Sequence, residues 1–144
     1  MSRENVELVK ALYPPPDADI AALFRDERTF DGMSEALRPL LTDDFESVLV
    51  FPAETRTAAG LEGLRKHWLD WLEPWASYRT RIDELIDRGD RIVLLLRDHG
   101  RREDMEAEVE IIGASIATIR DGKLARWEDY ADRAEALEAA GLPQ

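Results

Sequence analysis

Apolar positions along the chain keep a helical spacing in the first half and change period after Tyr78. Val6, Val9 and Tyr13 recur at i, i+3 and i+7 and predict a first helix. Pro14-Pro15-Pro16 must end it, because proline has no N–H to donate. Asp17 or Asp19 can cap a second short helix with Ile20, Leu23 and Phe24 on one face. Asp31-Gly32 reads as a turn, and the stretch carrying Met33, Leu37, Leu40 and Leu41 is made irregular by Pro39. Phe45 to Phe51 is the first strand candidate, ended by Pro52. Leu61, Leu64, Trp68, Trp71, Leu72 and Trp75 then mark a strongly amphipathic helix that should stop near Glu73-Pro74.

Beyond that point the pattern is that of strands. Tyr78 to Asp87 and Arg91 to Arg97 are joined by Arg88-Gly89-Asp90, and Met105 to Arg120 is turned by Asp121-Gly122 into Lys123 to Asp132. Asp-Gly between apolar strands is a strong hairpin signal, since both turn residues must take positive φ. Arg133 to Ala140 closes the chain as a short helix, with Gly141 at its C-terminal cap and Pro143 beyond.

Helices followed by a meander of strands predict an α+β fold, the helices packed on one face of a curved, mainly antiparallel sheet. The run Ile92-Val93-Leu94-Leu95-Leu96 does not alternate, so its strand should be buried on both faces. One face meets the helices. The other is left for a second layer or a partner subunit, and a homodimer through the sheet is the expectation.

Length and charge narrow the function classes. The 144 residues make one domain, 1–144, and 19 Lys+Arg against 31 Asp+Glu leave a formal net charge of −12. Such a surface repels phosphate backbones and anionic membrane, so neither nucleic acid nor a membrane is an expected partner. The absence of cysteine excludes thiol nucleophiles and Cys-ligated metals. The longest apolar run is five residues, far short of the roughly 18 of a membrane span. With no apolar N-terminal stretch of a signal peptide, the expected compartment is cytoplasmic. Two separated histidines and no Gly-rich phosphate loop imply neither a metal nor a nucleotide cofactor.

Several strings resemble the SnoaL-like branch of the nuclear transport factor 2-like superfamily. They are Glu4-Asn5-Val6-Glu7-Leu8-Val9, Gly60-Leu61-Glu62-Gly63-Leu64-Arg65 leading into the Trp-rich helix, and Ile86-Asp87-Arg88-Gly89-Asp90-Arg91 after Tyr78-Arg79. Ile119-Arg120-Asp121-Gly122-Lys123-Leu124 and the segment from Tyr130 to Leu142 complete them. The resemblance implies a cone-shaped fold with a pocket between the concave sheet and the helices. It also implies a small apolar ligand and cofactor-independent acid–base chemistry of the isomerase, cyclase or hydrolase type. A non-catalytic, dimeric ligand-binding or interaction domain is the alternative, because this fold hosts both. Where members pass quickly from the first helix to the second, this chain carries three prolines and a longer segment from Asp17 to Asp44, which could cover or fill the mouth of the cone.

Within that frame the last hairpin carries the candidate chemistry. If Arg120 pairs with Lys123 and the register stays regular, Ile116 faces Trp127, Ala114 faces Asp129 and Ser115 faces Glu128. Ile116, Trp127 and Asp129 then share the more apolar face, and Asp129 is a carboxylate in apolar surroundings, poised for proton transfer. The branch's cyclases imply the same role for an acidic residue after a Trp. They also carry a histidine on the preceding strand, which this chain lacks after Gly100. His99 is the substitute candidate, beside its reading as a hydrated strand-end histidine. An ion pair with Arg126 or Arg133 is the structural alternative for Asp129. A bulge, hinted at by Ile111-Ile112, would swap the faces and bring Glu128 and Tyr130 inward. Trp68 and Trp71 are pocket-wall candidates or simple core, and His67 reads as bordering the core.

Overall fold

The computed structural model describes residues 2–143. Helix α1 (Ser2–Leu12) stops at the three prolines, as the missing donors require. Helix α2 (Ile20–Arg25) is capped by Asp19, whose Oδ1 accepts the Ala21 N–H at 3.0 Å and also the Tyr78 N–H at 3.0 Å. That second bond ties the start of α2 to the sheet. Helix α3 (Glu27–Leu37) runs straight through Asp31-Gly32, so the turn expected there does not form. Tertiary packing overrides the local signal: Phe30 is buried with its ring 5.6 Å from that of Phe24, and a helix carries it there. The irregularity at Pro39 is a single 3₁₀ turn, Arg38–Leu40.

Strand β1 (Leu41–Val50) is followed by β2 (Thr55–Ala59), an exposed edge strand with no apolar alternation to announce it. Helix α4 (Gly60–Leu72) ends before Pro74, and Trp75 belongs to β3 (Trp75–Arg88) rather than to the helix. β4 (Arg91–Arg102), β5 (Glu108–Arg120) and β6 (Lys123–Tyr130) complete the sheet. Helix α5 (Arg133–Ala139) is capped by Asp132 and leaves through Gly141 at φ 74°. The six strands lie in the order β2-β1-β6-β5-β4-β3, antiparallel except for the parallel β1–β6 pair.

The sheet is covered on both sides. Helices α1 to α4 bury Phe45, Ile92, Leu94, Leu96, Ala117, Ile119 and Leu124 on the inner face. On the outer face α5 lays Ala136 and Ala140 over Val93, Ala114, Ile116 and Tyr130. The two-faced burial of β4 is thus met within one chain, by α5 as the second layer. The segment from Asp17 to Asp44 contributes Ile20, Ala21, Phe24 and Phe30 to the inner core beside α4.

One irregularity decides the site. Arg120 pairs with Lys123 across the Asp121-Gly122 turn, where both φ values are positive, and Ile119 pairs with Leu124. The next pair is Thr118 with Arg126, which leaves Ala125 as an extra residue on β6. From there Ala117 faces Trp127, Ser115 faces Asp129 and Ile116 faces Glu128. The regular register expected from the turn alone is therefore wrong by one residue beyond Ala125. The doubled isoleucines, by contrast, pair regularly with Arg97 and Asp98.

Candidate functional site

Between the inner face and the helices lies a cavity of about 170 Å³, partly open to solvent. Its walls include Tyr13 just after α1, His67, Trp68 and Trp71 from α4, Leu49 from β1 with Phe51 just after it, Leu96 and Asp98 from β4, Ile111 to Ala114 from β5, and Trp127, Asp129 and Tyr130 from β6 with Ala131 just after it. No residue of the segment 17–44 lines it, so that segment packs beside the cone and leaves the cavity open.

Two carboxylates reach this space. Asp129 receives two hydrogen bonds, from Ser115 Oγ at 2.6 Å and from Trp127 Nε1 at 2.9 Å, and both end on Oδ1. No hydrogen bond to its Oδ2 is found among the described residues, and Asp129 lines the cavity. Burial pushes the carboxyl up from 3.8 to about 6, the two donors offset part of that rise, and the nearby Asp98 charge adds to it. Asp98 is held differently. Tyr78 donates to its Oδ2 at 2.6 Å and Thr80 to its Oδ1 at 2.5 Å, so each oxygen is engaged. Because Thr80 spends its one proton there, Tyr13 must donate to Thr80 Oγ1. Burial also raises Asp98 and both tyrosines above their ordinary values.

The sheet pleat explains which residues meet. Tyr78 and Thr80 on β3 share the inner face with Leu96 and Asp98 on β4, while His99 points the other way. His99 lies outside the cavity, its Nε2 3.5 Å from Glu110 Oε2, among ion pairs joining Arg97 to Glu110 and Asp83. The pairing of Asp129 with His99 expected from sequence is therefore not formed; Asp98 takes the inward position.

Two expected wall residues also lie elsewhere. Ile116 is fully buried on the outer face under α5, moved there by the Ala125 bulge. Glu128 faces outward too, accepting from Tyr130 Oη at 3.0 Å with Arg126 beside it at 3.6 Å. Tyr130 borders the cavity, but its hydroxyl is spent on Glu128, and burial raises its pKa to about 12. Trp68, Trp71 and Trp127 do form the wall. Trp68 stacks on Phe24 at 5.4 Å, and Trp127 lies 6.1 Å from the Tyr13 ring. No Asp129 ion pair with Arg126 or Arg133 exists: Arg126 binds Glu46, and Arg133 binds Asp83 and the carbonyls of Leu96 and Gly113.

His67, weighed as a core residue from sequence, is buried at the cavity wall with Nδ1 3.0 Å from Ser47 Oγ. Burial, with Arg56 nearby, lowers its pKa and so favours the neutral ring. Among the described residues no group of three or more His, Asp or Glu is placed to hold a metal ion, and no helix is long and apolar enough to cross a membrane.

Comparison with known proteins agrees with this architecture. A protein from Jannaschia sp. CCS1, named for SnoaL-like polyketide cyclases, superposes with a TM-score of 0.63 at 19% identity, covering 99% of this chain and 95% of its own. TerC, co-crystallised with polyporic acid, gives a TM-score of 0.63 at 23% identity over 96% of this chain and 98% of its own. A protein of ketosteroid isomerase-like fold from Catenulispora acidiphila DSM 44928, in complex with trimethylamine, gives 0.59 at 19% identity over 95% and 94%. At these identities the likeness is one of fold. No curated protein matches the sequence. The SnoaL-like domain model matches residues 18–127, which span the second helix, the Trp-rich helix and the sheet through Trp127. The chain belongs to the SnoaL-like domain family.

Proposed function

We propose that this protein binds a small, mainly apolar ring compound in the cavity and moves a proton on it without a cofactor, with Asp129 as the acid–base group. The observation that carries this reading is the one-sided satisfaction of Asp129. Two donors fix Oδ1 and so fix the rotamer, while Oδ2 takes no hydrogen bond from the described residues in a side chain that lines the cavity. A carboxyl at about 6 is close enough to neutrality to take a proton and give it back. The size limits the ligand: an apolar cavity of roughly 150 Å³ accommodates benzene, so about 170 Å³ suits a single ring with a short substituent. Two proteins of this fold support a ring compound: TerC is co-crystallised with polyporic acid, and PhzB2 of Pseudomonas aeruginosa is named as phenazine biosynthesis-related.

The test is proton exchange. A panel of monocyclic carbonyl compounds, neutral and ammonium-substituted, is incubated with the protein in D₂O and followed by NMR. Exchange at the carbon beside the carbonyl should fall by at least about 10²-fold in Asp129→Asn, the usual scale of a general acid–base contribution. Undiminished exchange in that variant would remove Asp129 from the chemistry. The second reading is a non-catalytic binding domain, favoured by the fact that Asp129's protein partners are a serine and a tryptophan with no histidine. It predicts binding of ring compounds by the wild type with no exchange at any pH.

A further inference from the structure

The charge inside the cavity is unbalanced, and its walls say what would balance it. The outer face pairs its acids with arginine: Asp83 with Arg97 and Arg133, Glu108 with Arg79, Glu110 with Arg97 and Glu46 with Arg126. The cavity holds Asp98 and Asp129, yet among the described residues no lysine or arginine lines it. Neutral donors hold both carboxylates: Tyr78 and Thr80 on one, Ser115 and Trp127 on the other. Buried charges in proteins are paired with an opposite charge or bind a cation. Among the described residues the one basic side chain on the wall is His67, and burial disfavours its charged form.

A metal ion is a poor fit for the vacant role. Hard cations want six or more oxygen ligands, and Asp98 has both oxygens engaged while the rest of the wall adds only Asp129 and the His67 imidazole to indole, phenol and hydrocarbon. That wall suits a different cation. Tyr13, Trp68, Trp71 and Trp127 surround the space, and aromatic rings lined up around a desolvated site attract the diffuse charge of an alkylated ammonium. An anionic ligand would meet two carboxylates without any compensating cation.

We infer that the ligand of this cavity carries a positive charge: a compact aryl- or alkylammonium, or the iminium equivalent, whose nitrogen sits between the free oxygen of Asp129 and the tryptophan walls. This rests on the proposed ligand site but not on its chemistry. A cationic nitrogen beside Asp129 would also make the adjacent carbon's protons more acidic, which joins the charge preference to proton transfer at the same oxygen.

Three probes of one shape separate charge from fit: phenyltrimethylammonium, tert-butylbenzene and benzenesulfonate, which are positive, neutral and negative. Affinities are read by tryptophan fluorescence and by NMR titration at pH 7.5. The ammonium should bind at least about tenfold more tightly than its neutral isostere, the scale of a desolvated cation–π contact with a carboxylate nearby, and the sulfonate should not bind. Asp129→Asn and Trp71→Leu should each weaken the ammonium severalfold while leaving the hydrocarbon within about twofold. Equal or tighter binding of tert-butylbenzene, binding of the sulfonate, or failure of all three probes overturns the inference, and none of these results depends on a variant folding. The outcomes also separate this inference from the catalytic one. Asp129-dependent exchange of a neutral ring ketone without an ammonium preference sinks the charge assignment alone. Ammonium binding with no exchange by the wild type sinks the acid–base role alone.

Discussion

Replacing Asp129 by asparagine should stabilise the protein at neutral pH and do so much less in mild acid. Both hydrogen bonds to Asp129 end on Oδ1, so an asparagine can present its carbonyl to Ser115 and Trp127 and turn its amide toward the cavity where Oδ2 now lies. What the substitution removes is the burial of a charge. A carboxyl raised from 3.8 to about 6 costs about 3 kcal/mol of folding stability once it is ionised, at about 1.4 kcal/mol for each tenfold change in acidity. The sign follows from proton uptake. Between 3.8 and about 6 the folded state holds a proton that the unfolded state has lost, so this group favours folding at low pH and the benefit is lost as pH rises through about 6. Of the full cost, about 2 kcal/mol is recovered on going from pH 7.5 to 4.5. Urea unfolding of wild type and Asp129→Asn at the two pH values measures this directly. The gap between variant and wild type should be wider at pH 7.5 by about 2 kcal/mol. Taking that difference cancels the titrating groups that do not interact with Asp129; Asp98, whose charge adds to the Asp129 rise, is coupled to it and moves with the substitution. A gap that is the same at both pH values would mean that Asp129 is solvated and that the cavity does not desolvate it. The reasoning about the site would then fail with it.

Two further outcomes follow from single contacts. Ser115→Ala removes one of the two donors to Asp129 and should move that carboxyl's titration midpoint above about 6, as followed by carbon-13 NMR; a midpoint that stays or falls would contradict the bond. Gly100→Ala places a methyl within 2.5–2.8 Å of three ring atoms of Trp75 and should cost about 1–3 kcal/mol in urea unfolding, whereas an unchanged midpoint would mean that Trp75 does not press on β4.

The elements that were legible in the sequence are those whose chemistry is local. Three prolines end α1 because they have no N–H, Asp121-Gly122 turns β5 into β6 because both residues take positive φ, and Gly141 ends α5 for the same reason. The trytophan-spaced helix and the strand-rich second half follow from periodicity, and with them the α+β class. The choice of Asp129 as the carboxylate to watch rested on Trp127 two residues away, which shares its face in any regular strand.

Tertiary structure decided the rest. β2 has no apolar face to declare it, and it exists because β1 offers an open edge. Asp31-Gly32 became helix because Phe30 had somewhere to pack. The run from Ile92 to Leu96 is apolar on both faces, so it carries no phase of its own and could not say whether Asp98 or His99 faces inward. That was set by pairing with Tyr78 and Thr80 on one side and by α5 covering the other. The extra residue at Ala125 moved Ile116 out of the cavity and Ser115 in, giving Asp129 its hydrogen-bond donor. A one-residue slip reverses every side chain beyond it, and only the assembled sheet shows where the slip occurs.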